Sequence, residues 1–93
     1  MNNNILNGIS KYWDEEGYLI NEVQYLNDMK HGEWLFYYKN GEIKSITYYK
    51  FDKKDGAKTT YYENGRKQSE TIYSNDKQIL EIIRWDIDGN LLK

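Results

Sequence analysis

Few side chains in this sequence could carry chemistry. His31 is the single histidine, cysteine is absent, and the closest-set carboxylates are Asp14-Glu15-Glu16 and Asp86-x-Asp88. A lone imidazole needs partners before it can bind a metal or relay a proton, and no second histidine or thiolate exists to supply them. The lack of cysteine also excludes disulfides, iron–sulfur clusters and cysteine nucleophiles. Asp86-x-Asp88-Gly89-Asn90 resembles the opening of a calcium loop but lacks the remaining oxygen ligands and the closing glutamate, so it reads as a turn. Asp14, Glu15 and Glu16 could exchange protons, yet on a turn nothing desolvates them enough to raise a pKa. No catalytic residue, metal or cofactor is therefore expected. What an acidic tip can do is meet a basic partner electrostatically.

The elements that must position these residues come from a short, ring-rich chain. It has 93 residues, 39% of them hydrophobic and 16% aromatic, with ten tyrosines, three tryptophans and no proline. This length suits one domain, 1–93, whose core must be built largely from rings. Thirteen basic and fifteen acidic residues give a net charge of −2, which makes no case for a nucleic-acid binder. No stretch reaches the roughly 18 apolar residues of a membrane span, and Met1–Leu6 has neither the basic start nor the apolar run of a secretory signal. The cytoplasm is the expected location.

Self-similarity organises the sequence. Gly17, Gly41, Gly65 and Gly89 are spaced by 24 residues, and so, on a second register, are Gly8, Gly32 and Gly56. The same shift superposes Trp13, Tyr37, Tyr61 and Trp85, then Tyr25, Tyr49 and Tyr73, then Asp28, Asp52 and Asp76. Repeats therefore run over about 7–30, 31–54, 55–78 and a partial 79–93. Each reads as a β-hairpin: Glu16-Gly17, Asn40-Gly41, Asn64-Gly65 and Asp88-Gly89 are candidate type I′ turns, flanked by runs rich in Tyr, Trp, Ile and Thr. A second turn follows through Asp28–Gly32 and Asp52–Gly56. The expected fold is all-β, a single twisted antiparallel meander of hairpin repeats.

The segment His31-Gly32-Glu33-Trp34-Leu35-Phe36-Tyr37-Tyr38-Lys39-Asn40-Gly41-Glu42-Ile43 resembles the MORN-type repeat in its bacterial variant, in which Gly-x-Trp-x-x-Tyr-Tyr-x-Asn-Gly-x precedes a hydrophobic residue. Residues 55–67 match more loosely, with Lys58 in place of the tryptophan. The first repeat keeps Gly8, Tyr12, Trp13 and Gly17, and the fourth has Leu80 for the leading glycine but keeps Trp85 and Gly89. The repeat is a scaffold with several uses. Its occurrence in YwqK-type proteins, described as antitoxins or immunity partners of polymorphic toxins, implies a small inhibitor that binds a protein effector. Proposed roles of MORN repeats elsewhere imply the alternative, a structural scaffold or a binder of anionic membrane surfaces, with Lys50, Lys53, Lys54 and Lys58 as its basic cluster.

Strand alternation separates two faces. Columns of constant chemistry, Trp13/Tyr37/Tyr61/Trp85 with Leu19/Ile43/Lys67/Leu91 and Tyr25/Tyr49/Tyr73, are the expected core. The other face changes from repeat to repeat. It carries Trp34, Phe36 and Tyr38 with Ile46 and Tyr48 in repeat two, and Tyr62 in repeat three. An aromatic patch of this kind is either a protein-binding hot spot or a second small core. The candidate partner-binding residues are therefore Trp34, Phe36, Tyr38, Ile46, Tyr48 and Tyr62, with Asp14, Glu15 and Glu16 as a guide for a basic target such as a nucleic-acid-acting toxin. Ile79–Ile83 is the most apolar strand and could join two copies edge to edge. A fold-back of Ile5-Leu6 would instead cap the sheet.

Overall fold

The computed structural model describes residues 7–93 and holds one antiparallel sheet. Strands β1 (Gly8–Trp13), β2 (Leu19–Leu26), β3 (Met29–Tyr37), β4 (Ile43–Lys50), β5 (Lys53–Tyr61) and β6 (Lys67–Ser74) form a meander in which each pairs with the next. The short strands β7 (Lys77–Gln78) and β8 (Ile83–Trp85) both pair with β6, and β9 (Leu91–Leu92) pairs with β8. There is no helix among the described residues. The expected all-β meander of 24-residue hairpins is what forms. Ile5-Leu6, the suggested cap, lies outside the described residues.

Two turn types alternate: the glycine loops lie where the motif puts them but are of another type, and the second turn starts one residue before the expected Asp28–Gly32 and Asp52–Gly56 stretches. The two-residue turns with positive φ at both positions are Asn27-Asp28, Phe51-Asp52 and Asn75-Asp76, the type I′ geometry that matches strand twist. Asparagine and aspartate enter the left-handed region more readily than other side chains because they can bond locally to the backbone. Here the aspartate bonds across the repeat boundary. Asp52 N donates to Lys30 O at 2.8 Å while its Oδ1 accepts from Lys30 N at 2.8 Å, and Asp76 and Lys54 repeat the arrangement. A second column supports the same tips: Asn7 Oδ1, His31 Nδ1 and Asp55 Oδ1 accept from the backbone N–H groups of Asn27, Phe51 and Asn75. His31 thus holds a turn, and its ring also lies 4.8 Å from that of Phe51.

The glycine loops correct the type I′ expectation. In the first, Gly17 N donates to Asp14 O at 3.0 Å and Asp14 N to Tyr18 O at 2.9 Å. Gly17 takes φ +93° while the residue before it stays out of the left-handed region. This is a four-residue turn closed by a left-handed glycine, which adds one residue to one strand as a β-bulge. One pair beyond each loop the ladder slips again, between Tyr12 and Trp13, between Phe36 and Tyr37, and between Thr60 and Tyr61.

The slab measures 55 × 36 × 13 Å, so burial must come from neighbours within one layer. Among the described residues Val23 is the one fully buried apolar side chain, at 2% exposure, joined by Thr47, Thr59 and Thr71. Three of these are a single column, Val23/Thr47/Thr71, spaced by 24 residues. Trp34 lies between Val23 and Thr47, and Lys58 between Thr47 and Thr71. A large side chain flanked by two small β-branched ones is how a single sheet fills its surface. The expected core column is corrected by this: Trp13 is 56% exposed and Tyr37, Tyr61 and Trp85 are only half-buried.

Candidate functional site

The bulge decides which side chains share a face. Tyr37 pairs with Ile43, but one step along, Phe36 pairs with Ser45, so Lys44 is the extra residue. Beyond it, Trp34 pairs with Thr47, Leu35 with Ile46 and Glu33 with Tyr48. Directly opposed residues of an antiparallel pair point to the same side. Trp34 and Phe36 therefore share one face, while Ile46 and Tyr48 stand on the other. The patch expected from sequence is split between the two.

On the first face Trp34 has partners that strand alternation alone placed elsewhere. Its ring lies 5.7 Å from Tyr25, edge-on, and 5.2 Å from Tyr49, tilted. Lys30 Nζ sits 5.1 Å from the Trp34 ring and 5.0 Å from the Tyr49 ring. One repeat on, Lys54 Nζ lies 4.9 Å from the Tyr73 ring, and Lys58 occupies the place of Trp34. The indole Nε1 donates to Gln24 O at 3.2 Å. Ring packing of this kind adds to area burial, and each cation over a ring adds roughly 0.5–1 kcal/mol at an exposed site. Arg84, paired with Ser69, continues this face. The strand cations Lys30, Lys54, Lys58 and Arg84 all lie on it. The signal for Lys30 and Lys54 was their shared place two residues ahead of a repeat glycine.

The opposite face gathers carboxylates and phenols. Tyr37 Oη donates to Glu22 at 3.0 Å, Tyr48 Oη to Glu33 at 3.3 Å, and Thr59 Oγ1 to Glu70 at 3.2 Å. Burial, then the hydrogen bond to Glu22 and the charges of Glu22 and Glu33, push the Tyr37 phenol above its ordinary value of 10.0. Burial, followed by Glu33, does the same to Tyr48. Lys67 pairs with Glu70 at 3.4 Å and lies 6.0 Å from the Trp85 ring.

The remaining predicted residues hold repeats together. Tyr38 and Tyr62 stand just past β3 and β5, and their hydroxyls donate to the carbonyls of Tyr61 (2.7 Å) and Trp85 (2.8 Å), each 23 residues ahead. Asn40 and Asn64 side chains reach the carbonyls of Glu63 and Ile87 in the same way. In the first repeat Asp14 replaces the tyrosine, and its Oδ1 accepts from Glu16 N and Tyr18 N. Glu16, in the asparagine's place, pairs instead with Lys39 at 2.8 Å. Of the acidic tip, Asp14 is thus committed to its turn and Glu16 to a cation, and both lie far from the packing around Trp34 in kind as well as in role. The lysine cluster divides too: Lys50 and Lys53 oppose each other at a hairpin end, while Lys54 and Lys58 face the tryptophan side. The bulged Gly32 accommodates this packing, since a Cβ there would run into the Gln24 carboxamide.

No curated protein and no solved structure matches the chain. The profile of the MORN repeat variant matches residues 6–27, 30–51 and 54–75, three consecutive stretches at the 24-residue spacing of the hairpins described above. These stretches make up more than half of the sequence, and the chain belongs to the MORN repeat variant family.

Proposed function

We propose that this chain is a non-catalytic protein-binding module that takes its target on the face carrying Trp34. Repeats of this family are protein- or membrane-binding units. The observation that carries the reading is a single-layer sheet whose tryptophan face, with Trp34, Phe36, Tyr25 and Tyr49, has no second layer over it among the described residues. Half-exposed Trp and Tyr rings set around a shared centre are the composition of binding hot spots. Tyr48 and Ile46 belong to the reverse side, and Tyr38 and Tyr62 act as ties that keep the face flat.

The finer form of the proposal is a small antitoxin or immunity protein that neutralises a protein effector in the cytoplasm. Its support is the resemblance of residues 31–43 to the repeat of YwqK-type proteins. The test is capture of a stoichiometric partner by the wild type and by Trp34→Lys. The third repeat already carries lysine at this place, so the variant is expected to fold, which circular dichroism checks. Loss of about 30-fold or more in affinity is expected for a hot-spot tryptophan. Undiminished capture by the folded variant overturns the assignment of this face.

A membrane-surface reading draws support from the four one-sided cations. Binding to anionic vesicles in the absence of any protein target, with salt sensitivity, would replace the first proposal by this one.

A further inference from the structure

The two faces differ in their charges as well as in their rings: one carries strand cations alone, the other both signs. On the tryptophan face the strands contribute Lys30, Lys54, Lys58 and Arg84 and no carboxylate; Glu22, Glu33 and Glu70 all point to the reverse. The ion pairs between described residues, Lys39–Glu16 and Lys67–Glu70, involve none of the four cations. Lys30 and Lys54 are held over rings, which keeps their charge on the sheet surface without neutralising it. A sheet with 13 basic and 15 acidic residues overall has thus sorted one sign to one side.

We propose that the occupant of this face is an acidic polypeptide segment with apolar side chains, its carboxylates meeting Lys30, Lys54, Lys58 and Arg84 while its apolar groups cover Trp34 and Phe36. The inference rests on the proposed function and gives the partner its chemistry. It also reverses the sign suggested by the acidic first hairpin, whose Asp14 and Glu16 are already committed. Charge complementarity of this kind governs encounter rate and selectivity. Carboxylates suit the face better than a polynucleotide does. Lys30 sits over the Trp34 and Tyr49 rings, where a stacked base would have to displace it, and the net charge of −2 repels a polyphosphate.

The test uses the full chain and a fluorescein-labelled peptide of about twelve residues alternating glutamate with leucine and phenylalanine, long enough to cross several strands at ~4.8 Å spacing. A lysine-for-glutamate peptide, oligo-dT and phosphatidylserine vesicles serve as the other probes. Expected are saturable binding of the acidic peptide, about tenfold or more weakening in Lys54→Glu/Arg84→Glu, an unchanged affinity in Lys11→Glu on the reverse face, and weakening as salt rises across the Debye range of ~10 to ~3 Å. Equal binding of the basic peptide, or indifference to the double charge reversal in a variant with wild-type circular dichroism, overturns the proposal. So does tighter binding of oligo-dT or of vesicles. If the acidic peptide fails while Trp34→Lys still abolishes capture of a protein target, the binding face stands and only its partner chemistry falls.

Discussion

Strand β6 has two neighbours that ought to be alike. On one side lies β5 of the third repeat, nine residues long, whose Gly56–Tyr61 stretch pairs with β6 without a gap on its own side. On the other lies the same stretch of the fourth repeat, in which only β7 and β8 pair with β6. The registers agree: Ser45 opposes Thr60 as Ser69 opposes Arg84, and Tyr49 opposes Lys54 as Tyr73 opposes Gln78. Between the two short strands Ile79 N still donates to Ile72 O at 2.9 Å, but residues 80–82 are unpaired, whereas the ladder of β4 with β5 resumes one residue earlier, at Lys58. The residue that differs at the break is Leu80, where the other repeats have Gly8, Gly32 and Gly56 at φ +99° to +114°. A leucine is excluded from that backbone region by its Cβ. The chain goes around the obstacle, its Leu80 carbonyl taken by Thr71 Oγ1 and Gln78 Nε2, and leaves Ile79 at 57% and Leu80 at 51% exposure. One backbone angle per repeat decides whether an apolar strand is paired or left in water.

Moving that difference into the middle of the sheet gives the largest predicted effect. Gly32→Leu combines the strained φ of +101° with a collision against Gln24, and should destabilise by about 3 kcal/mol in urea titration. Gly56→Leu meets Tyr48 Cβ at 3.4 Å, an ordinary contact at its lower limit, so it should lose less. A Gly32→Leu protein with the wild-type midpoint would break the account of why the fourth repeat opens.

The ties between repeats come next. Tyr62 Oη is the link from the third repeat to the fourth, and Tyr38 Oη the link from the second to the third. Each tyrosine-to-phenylalanine change should cost roughly 1 kcal/mol, the net value of one hydrogen bond. The comparison predicts different readouts. Tyr38→Phe lowers the global urea midpoint, because both sides of the bond belong to long strands. Tyr62→Phe shows instead as lost hydrogen-exchange protection in β8 and β9, with the midpoint nearly unchanged. Identical behaviour of the two would mean that the fourth repeat unfolds with the rest.

How far this was legible in the sequence depends on the scale. The 24-residue columns gave the meander and its pairing beside each loop, including Tyr37 with Ile43 and Trp13 with Leu19. They did not give the bulge. Carrying the Tyr37–Ile43 pairing along the strands without an extra residue puts Trp34 with Ile46 and sends Tyr49 to the reverse face; the inserted Lys44 flips both. A left-handed glycine closing a loop of more than two residues puts a bulge at the loop itself, at Gly41 and Glu42; the slip at Lys44 is a second one, beyond the Tyr37–Ile43 pair, and the loop residues do not announce it. Phe51 in a left-handed turn had no signal either, since nothing in a phenylalanine favours that angle; its backbone N–H is held by His31 at the start of the same repeat. Leu80 in place of a repeat glycine was visible, and its consequence follows from the φ of its three counterparts.

Restoring the glycine sharpens the comparison from the other side. Leu80→Gly removes the obstacle, and Ile82 should pair with Thr71 of β6 as Lys58 pairs with Thr47 of β4. The added unfolded-state entropy of a glycine, about 0.5–1 kcal/mol, offsets much of the gain. The expected change in global stability is therefore under about 1 kcal/mol, and the decisive readout is new amide protection at Ile82. Continued rapid exchange there would show that something besides Leu80 keeps the segment open.

The smallest effect concerns acid. At the place held by Tyr38 and Tyr62, the fourth repeat has Asp86, whose Oδ1 accepts from Asp88 N at 3.0 Å and Asn90 N at 2.9 Å. Hydrogen bonds from Asn90, first through its backbone and then through its side chain, with further help from the Asp88 and Gly89 backbone, hold this carboxyl below its ordinary value of 3.8. A depressed carboxylate stabilises the folded hairpin at every pH above the ordinary value, and that contribution is lost as pH falls through the folded one. The β8–β9 hairpin should therefore loosen in acid while the loop closed by Tyr38 does not, since a phenol has no proton to gain there. Amide shifts of Asp88 and Asn90 followed between about pH 6 and pH 2 would report it. Asp86→Asn keeps an oxygen acceptor but removes the titration, so its hairpin should be indifferent to pH over this window. If the wild type and Asp86→Asn lose the hairpin at the same pH, the acid-sensitive contact lies elsewhere, and the fourth repeat is looser than the third because of Leu80 alone.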